Sequence, residues 1–381
     1  MSTGRAPLYT TSSVTGVYIS VPFCEQKCTY CNFSSDVLPK KSIAPYLEAL
    51  RAEIAAAEFP GEPDTLYLGG GTPSLLAVDE LARVLEALPR KRWREATLEA
   101  SPCTITPEKA AGWLELGIAR VSLGVQSFVP REASATGRKH TPEQVEEEIV
   151  MLRAAGITAV NIDLIAGLAH QTAESWEASL DWVERLAPEH VSVYMLEVDD
   201  DSRLGEELRN GGSRYGAAHV PSEDAIAGFY QRAVERLAAM GIQRYEISNF
   251  ARPGQESLHN LKYWNMEPYL GFGADAHSFD GRRRWANIES VEEYLERSGR
   301  GEAVRGEPEV VEAARHLEDR LMTGLRLTAG VAVSPEEVAL YEDRLRKLAA
   351  QGWLEQRGGR LRLTAEGVMF SNTVLEELLL R

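Results

Sequence analysis

Three of the four cysteines in this 381-residue chain, Cys24, Cys28 and Cys31, fall within eight residues of the stretch "VYISVPFCEQKCTYCNF" (17–33). In a chain so poor in cysteine, a tight Cys-x3-Cys-x2-Cys cluster points to metal or redox chemistry rather than a disulfide framework. A structural zinc site takes four protein ligands. No fourth cysteine is near, and no histidine is closer than His140. A [4Fe–4S] cube has four irons, so three thiolates would hold three of them and leave one open to an outside ligand. Three buried small hydrophobes, or a three-cysteine zinc site with a remote ligand, are the alternatives. Cys103 lies outside the cluster and is expected to be a small buried hydrophobe.

The cluster follows an apolar run, 16–21, and Pro22 can stiffen the exit from it. Five more strand-like runs follow at 65–69, 96–101, 119–126, 159–167 and 190–196. Amphipathic helical stretches separate them. Ser42 is expected to cap one, and Thr106-Pro107 and Thr141-Pro142 open two others, the last closing at Gly156. Strand and helix in alternation imply parallel βα units. Residues 199–221 read as a loop, 222–240 as a helix, and "QRYEISNFA" as another strand. A charged break falls near 299–308. Beyond it, a helix pair and two short strands around Gly358-Gly359 read as a winged-helix-like module with a structural or docking role.

The net charge is −16. Such a surface repels nucleic acid and anionic lipid unless a basic patch is hidden, and "RKRWR" (90–94), the densest basic run, reads as a solvated turn. Hydrophobic residues make up 44% and charged residues 26%, ordinary for a globular chain of this length. No apolar run is long enough to span a membrane. The polar first residues hold no apolar signal core, so 1–15 read as a flexible tail on a cytoplasmic protein.

Several polar or glycine positions sit at or near strand ends. Gly69, Gly70 and Gly71 would let backbone approach a ligand, with Thr72 beside them. Glu99 is a carboxylate in an apolar strand, costly unless paired, and a ligand's ammonium group would satisfy it. Gln126 ends the fourth run, Arg138 follows it, and Asp163 sits in the fifth. Each could be a satisfied core or rim group. Together, Cys24, Gly70, Glu99, Gln126 and Asp163 fall on five successive strands, where a β/α barrel places its chemistry.

The cysteine spacing resembles the signature of the radical S-adenosylmethionine (SAM) enzymes. The fuller string Y-x3-P-F-C-x3-C-x-Y-C resembles the branch that contains oxygen-independent coproporphyrinogen dehydrogenase. The resemblance implies an α/β fold: a partial (β/α)6 TIM-like barrel over 16–250, a connector over 251–308, and a small α+β winged-helix-like domain over 309–381. It implies a [4Fe–4S] cluster on Cys24, Cys28 and Cys31, with exchangeable SAM on the open iron as the source of a 5′-deoxyadenosyl radical. By resemblance Gly70, Gly71, Thr72, Glu99 and Gln126 contact SAM, and Tyr18 and Tyr30 flank it. Arg138 and Asp163 would bind a cofactor or substrate deeper in the barrel.

Further on, "HNLKYW" (259–264) resembles a string of the haem-chaperone members of this branch. Neutral His259 can ligate haem iron, Tyr263 is an alternative ligand, and Trp264 offers an aromatic face. His259 and His277 can equally be hydrogen-bonded core or loop histidines. The implied partners are haem or porphyrin, haem-acceptor proteins including one at a membrane surface, and a reductant protein, with no nucleic acid. The competing activity is oxygen-independent coproporphyrinogen III oxidation. Phe33 stands where that enzyme has a cysteine, which favours the chaperone members. Ser20, Ser101, Ala166 and His170 depart from the usual family strings and leave room for a different pocket.

Overall fold

Alternation along the strands sets the architecture. In the fifth strand, Val160, Ile162 and Leu164 are fully buried on one face, while Asn161, Asp163 and Ile165 on the other line a cavity. The computed structural model describes residues 14–31, 35, 37–59, 62–89, 92–199 and 202–379; the rest of the expected tail, and Phe33, lie outside them. Six strands stand side by side in chain order, all parallel: β1 (Val14–Val21), β2 (Glu62–Gly70), β3 (Glu95–Ala100), β4 (Arg120–Gln126), β5 (Ala159–Ala166) and β6 (His190–Met195). The crossovers carry α1 (Ile43–Ala56), α2 (Val78–Leu85), α3 (Pro107–Glu115), α4 (Pro130–Ala135), α5 (Pro142–Ala155) and α6 (Ala173–Leu186). Trp113 and Trp176 from these helices are among the largest fully buried side chains.

The capping chemistry mostly follows the sequence. Thr106 accepts from the Lys109 amide, and Thr141 and Gln144 form a reciprocal capping box. Gly156 ends α5 at φ 101°. Ser42 is an exception. A short 3-10 turn at Lys40–Ser42 runs straight into α1, so Ser42 has helical φ/ψ and its side chain caps nothing.

The sheet extends beyond the six strands. It has twelve, and its order leaves the barrel open. After β6 come α7 (Arg203–Arg209) and α8 (Glu223–Ala239). The stretch expected to be a loop at 199–221 thus holds a helix capped by Ser202. The single strand expected at "QRYEISNFA" breaks into β7 (Gln243–Arg244) and β8 (Asn249–Ala251), and β8 runs antiparallel to β6. Next come α9 (Leu258–Trp264), then β9 (Tyr269–Phe272), which pairs parallel to β1. Antiparallel β10 (His277–Phe279) and β11 (Arg283–Ala286), α10 (Val291–Gly299), and β12 (Glu309–Val310) complete that edge. The span 251–308, expected to be a connector, thus contributes β9, β10 and β11 to the main sheet.

The terminal module runs α11 (Ala313–Gly324), β13 (Val331–Ala332), α12 (Pro335–Leu340), α13 (Glu342–Ala350), β14 (Leu354–Arg357) and β15 (Arg360–Leu363), a winged-helix order. Gly358 and Gly359, both at positive φ, close its hairpin. Then α14 (Ala365–Met369) and α15 (Ser371–Glu377) return to the barrel, where residues 369–373 line its cavity. Among the described residues, no helix is long and apolar enough to cross a membrane. Thr141→Ala should lower unfolding stability by about 1 kcal/mol, read from chemical denaturation, because the Gln144 amide loses its cap.

Candidate functional site

The cysteine loop is held to the second strand by backbone. The Gly71 amide donates to the Val21 carbonyl at 2.9 Å, and the Thr72 amide to the Phe23 carbonyl at 2.8 Å. A Cβ on Gly71 would lie 2.7 to 2.9 Å from Val21 and Phe23 backbone atoms, so only glycine permits this approach. The Thr72 hydroxyl lies 3.8 Å from Cys24 Sγ. At the loop's centre, the Thr29 amide and hydroxyl donate to the Thr136 and Ala135 carbonyls, and the Leu204 amide donates to the Thr29 carbonyl. Thus α4 and α7 buttress the loop.

Cys24, Cys28 and Cys31 are half-buried and line one cavity. Burial pushes the Cys24 thiol up. Among the described residues, no three His, Cys, Asp or Glu groups stand at metal-ligand spacing. Cys103 is exposed rather than buried, at φ 71° on the loop after β3.

The cavity, of 1570 Å³, continues from this loop into the barrel. Gly70, Gly71, Thr72, Glu99, Gln126, Arg138, Asp163 and Tyr30 are in its wall. Gly70 ends β2 at φ 100°. Glu99 accepts from the Tyr67 hydroxyl at 2.9 Å. Its carboxyl is pushed up to about 7, chiefly by burial, with Asp163 adding to the rise and the Tyr67 and Gly70 donors opposing it. Gln126 has φ 68° at a bulge in β4, and its buried Oε1 has no partner. Arg138 donates to Ser101 Oγ at 2.8 Å, while its Nε has no partner. The unusual Ser101 therefore anchors this guanidinium. Burial raises the Tyr30 hydroxyl, and Arg138 beside it acts the other way.

Asp163 differs from expectation in position. It lies in mid-strand, opposite Gly124, not at the end of β5. It accepts from Ser122 Oγ at 3.1 Å and Asn161 Nδ2 at 2.7 Å, and burial pushes its carboxyl up. Tyr18 is not in the cavity wall. It stacks on Tyr67 at 6.2 Å, and its hydroxyl lies behind Gly70, so two wall residues separate it from the cavity. The sequence reading missed Tyr67, Arg120, Ser122, Asn161, His190, Ser192 and Tyr194, all in the wall. Counting by twos along the strands from Asp163, or from its neighbours in register, reaches most of them.

The "HNLKYW" string builds α9 across the barrel's other end. Glu95, the first residue of β3, accepts from the Leu258 and His259 amides at 2.9 Å each. His259 is 0% exposed. Its Nδ1 pairs with Thr65 Oγ1 at 2.9 Å and its Nε2 with the Tyr263 hydroxyl at 2.8 Å. Burial pushes its imidazole down to about 3, with Lys262 acting in the same direction, so the ring is neutral. Both nitrogens are thus engaged inside the protein, and the ring is outside the cavity wall. The expected ligand candidates His259 and Tyr263 are thus hydrogen-bonded to each other, away from the cavity wall. Trp264 packs under the Arg326 guanidinium at 4.6 Å instead of presenting a free face. Asn260 is the residue of this string that lines the cavity. His277 is exposed on β10.

Residues 18–183 match the family model of the radical SAM superfamily, and residues 311–370 match that of the HemN C-terminal domain. The chain is 33% identical to the protein named heme chaperone HemW of Bacillus subtilis, over 94% of this chain and 97% of that protein. The chain belongs to the HemW family of radical SAM proteins. It is 35% identical to the HemW of Mycobacterium tuberculosis H37Rv, over 96% and 94% of the two chains, and 30% identical to that of Escherichia coli K12, over 94% and 97%. Its fold matches the solved structure of the coproporphyrinogen III oxidase HemN of E. coli with a TM-score of 0.84, at 22% identity, covering 97% of this chain and 91% of that one.

Radical SAM membership implies a [4Fe–4S] cluster and SAM. The residues present fit both groups. Three thiols share one loop, Gly70 and Gly71 line the cavity beside them, and two buried polar atoms, Gln126 Oε1 and Arg138 Nε, have no partner.

Two outcomes follow from this HemW geometry. Burial keeps Glu99 neutral up to about 7 against an ordinary value of 4.5, so ionising it costs the fold as pH climbs through that window. A ligand amino group that needs the carboxylate binds more tightly over the same climb. Calorimetry should find SAM bound more tightly at pH 8 than at pH 6, with Glu99→Gln removing most of the difference. His259→Ala should cost about 3 kcal/mol in denaturation, because it opens a cavity and strands the Thr65 and Tyr263 hydroxyls.

Proposed function

We propose that this protein is a haem chaperone that uses a cluster-and-SAM barrel to hold haem and hand it to acceptor proteins. The observation that carries this reading is identity of 30 to 35% over nearly the whole chain to several proteins named heme chaperone HemW. In this reading Cys24, Cys28 and Cys31 hold the cluster. Glu99 accepts from the SAM amino group. The Gly70 and Gly71 backbone, Thr72 and Gln126 meet the rest of its amino-acid moiety. The free Nε of Arg138 serves a carboxylate on the same side, and Asp163 orders the donors below it. Tyr30 keeps Arg138 in place, and Tyr18 acts through Tyr67. When bound, cluster and SAM supply one-electron chemistry.

Two features support haem in the same cavity. Its 1570 Å³ exceeds the usual volume of a one-ligand pocket, about 300 to 1,000 Å³. Its lining also exposes apolar side chains, with Tyr194 43%, Phe370 42% and Val37 54% exposed. Such surfaces suit a porphyrin face. The haem would sit against these groups, not on His259. A reductant protein, one or more haem acceptors and a cytoplasmic setting complete the proposal.

Anaerobically reconstituted protein should take up haem in a spectral titration and pass it to an apo haem protein. Ser in place of any one of Cys24, Cys28 or Cys31 should abolish the cluster's iron and sulfide content. Absence of haem uptake would overturn the chaperone reading. Conversion of coproporphyrinogen to protoporphyrinogen under reducing conditions would replace it with the oxidase activity.

A further inference from the structure

The deep end of the cavity holds a charge that the protein does not answer. Arg120 opens β4, is 5% exposed, and lines the cavity at the end remote from the cysteines. Its buried Nε has no hydrogen-bond partner, and it forms no ion pair among the described residues. An arginine stays charged in a protein. A buried, unpaired charge is destabilising unless something else compensates it.

Asp163 offsets part of it through space, but the neighbouring groups do not hydrogen-bond its Nε. Both Asp163 oxygens are taken by Ser122 and Asn161. His190 is neutral, pushed far down by burial and by Arg120 itself, with Nδ1 on Asn161 at 2.6 Å and Nε2 on the Tyr245 hydroxyl at 2.9 Å. Tyr245 is held neutral by burial. Arg326, the other guanidinium at this end, already has the Trp264 face and, at 4.0 Å, the Glu246 carboxylate. Arg120 is thus a guanidinium in the cavity wall whose buried Nε is left without a hydrogen-bond partner.

We infer that the floor of the barrel is a carboxylate subsite, with Arg120 as its cation and Asn260, which lines the same cavity, contributing an amide. A planar guanidinium matches a carboxylate in two parallel hydrogen bonds. One arginine balances one carboxylate, whereas a phosphate's second charge would have no partner. Asn260 is the residue by which the "HNLKYW" string reaches the ligand, which gives that string a recognition role distinct from iron ligation. If the cavity holds haem, the group received is a propionate; that half of the inference rests on the chaperone reading.

The test compares wild type with Arg120→Met. In the ligand-free protein the variant should melt at or above the wild-type temperature, because an unpaired buried charge is removed. Wild type should bind haem at least about tenfold more tightly than haem dimethyl ester, and Arg120→Met should bind the two alike. Millimolar propionate should protect wild type, but not the variant, against thermal unfolding. A melting temperature several degrees lower for ligand-free Arg120→Met would make Arg120 structural and overturn the inference. So would a diester that binds wild type as tightly as haem does, together with propionate protection that ignores Arg120. If haem fails to bind but propionate protection depends on Arg120, the chaperone reading falls and the carboxylate subsite stands.

Discussion

Strand alternation under desolvation is the constraint on which this structure depends. Each parallel strand turns one set of side chains toward the helices and the other toward the barrel interior. The outward set is aliphatic and builds the core. The inward set is polar: Glu99, Ser122, Gln126, Asn161, Asp163, His190 and Ser192. Polar groups gathered there must satisfy one another or be satisfied by something that enters. Most are paired. Gln126 Oε1, Arg138 Nε and Arg120 Nε are not, and all three residues face the cavity.

The barrel's two ends are built by opposite means. At the cysteine end, backbone contacts at Gly71 and Thr72 fix the loop and leave side chains free to ligate. At the other end, α9 is fixed by side chains. Glu95 takes its first amides, His259 and Tyr263 lock to Thr65, and Lys262 pairs with Asp64 at 3.0 Å and Glu267 at 3.1 Å. Polar chemistry that looks reactive in a string of letters is spent here on closing the fold.

How much of this was legible in the sequence depended on how local the signal was. The six parallel strands, the Thr106 and Thr141 caps and the Gly156 stop are written in neighbouring residues, and they stand as read. The cysteine loop and the polar strand positions share one cavity because period two and a common strand direction put them there. β9, β10 and β11 are three or four residues long, too short for a pattern to emerge from the loops around them. The burial of His259 was not legible because its surroundings come from Thr65, far away in the chain, and no local feature separates a sealed imidazole from a ligating one. Arg120 escaped notice for the converse reason. It reads as an ordinary strand-edge charge, and only the assembled barrel shows its Nε buried in the cavity wall without a hydrogen-bond partner.

The cavity that starts at Cys24 is finished by residues 369–373, from the far end of the sequence. Those residues are carried in by a module whose own sheet is separate from the barrel's. The enclosure is therefore closed by two sheets that share one hydrophobic core and are joined by the Thr328 amide on the Tyr245 carbonyl. The shape of the cavity mouth is thereby tied to how the terminal module is seated on the barrel.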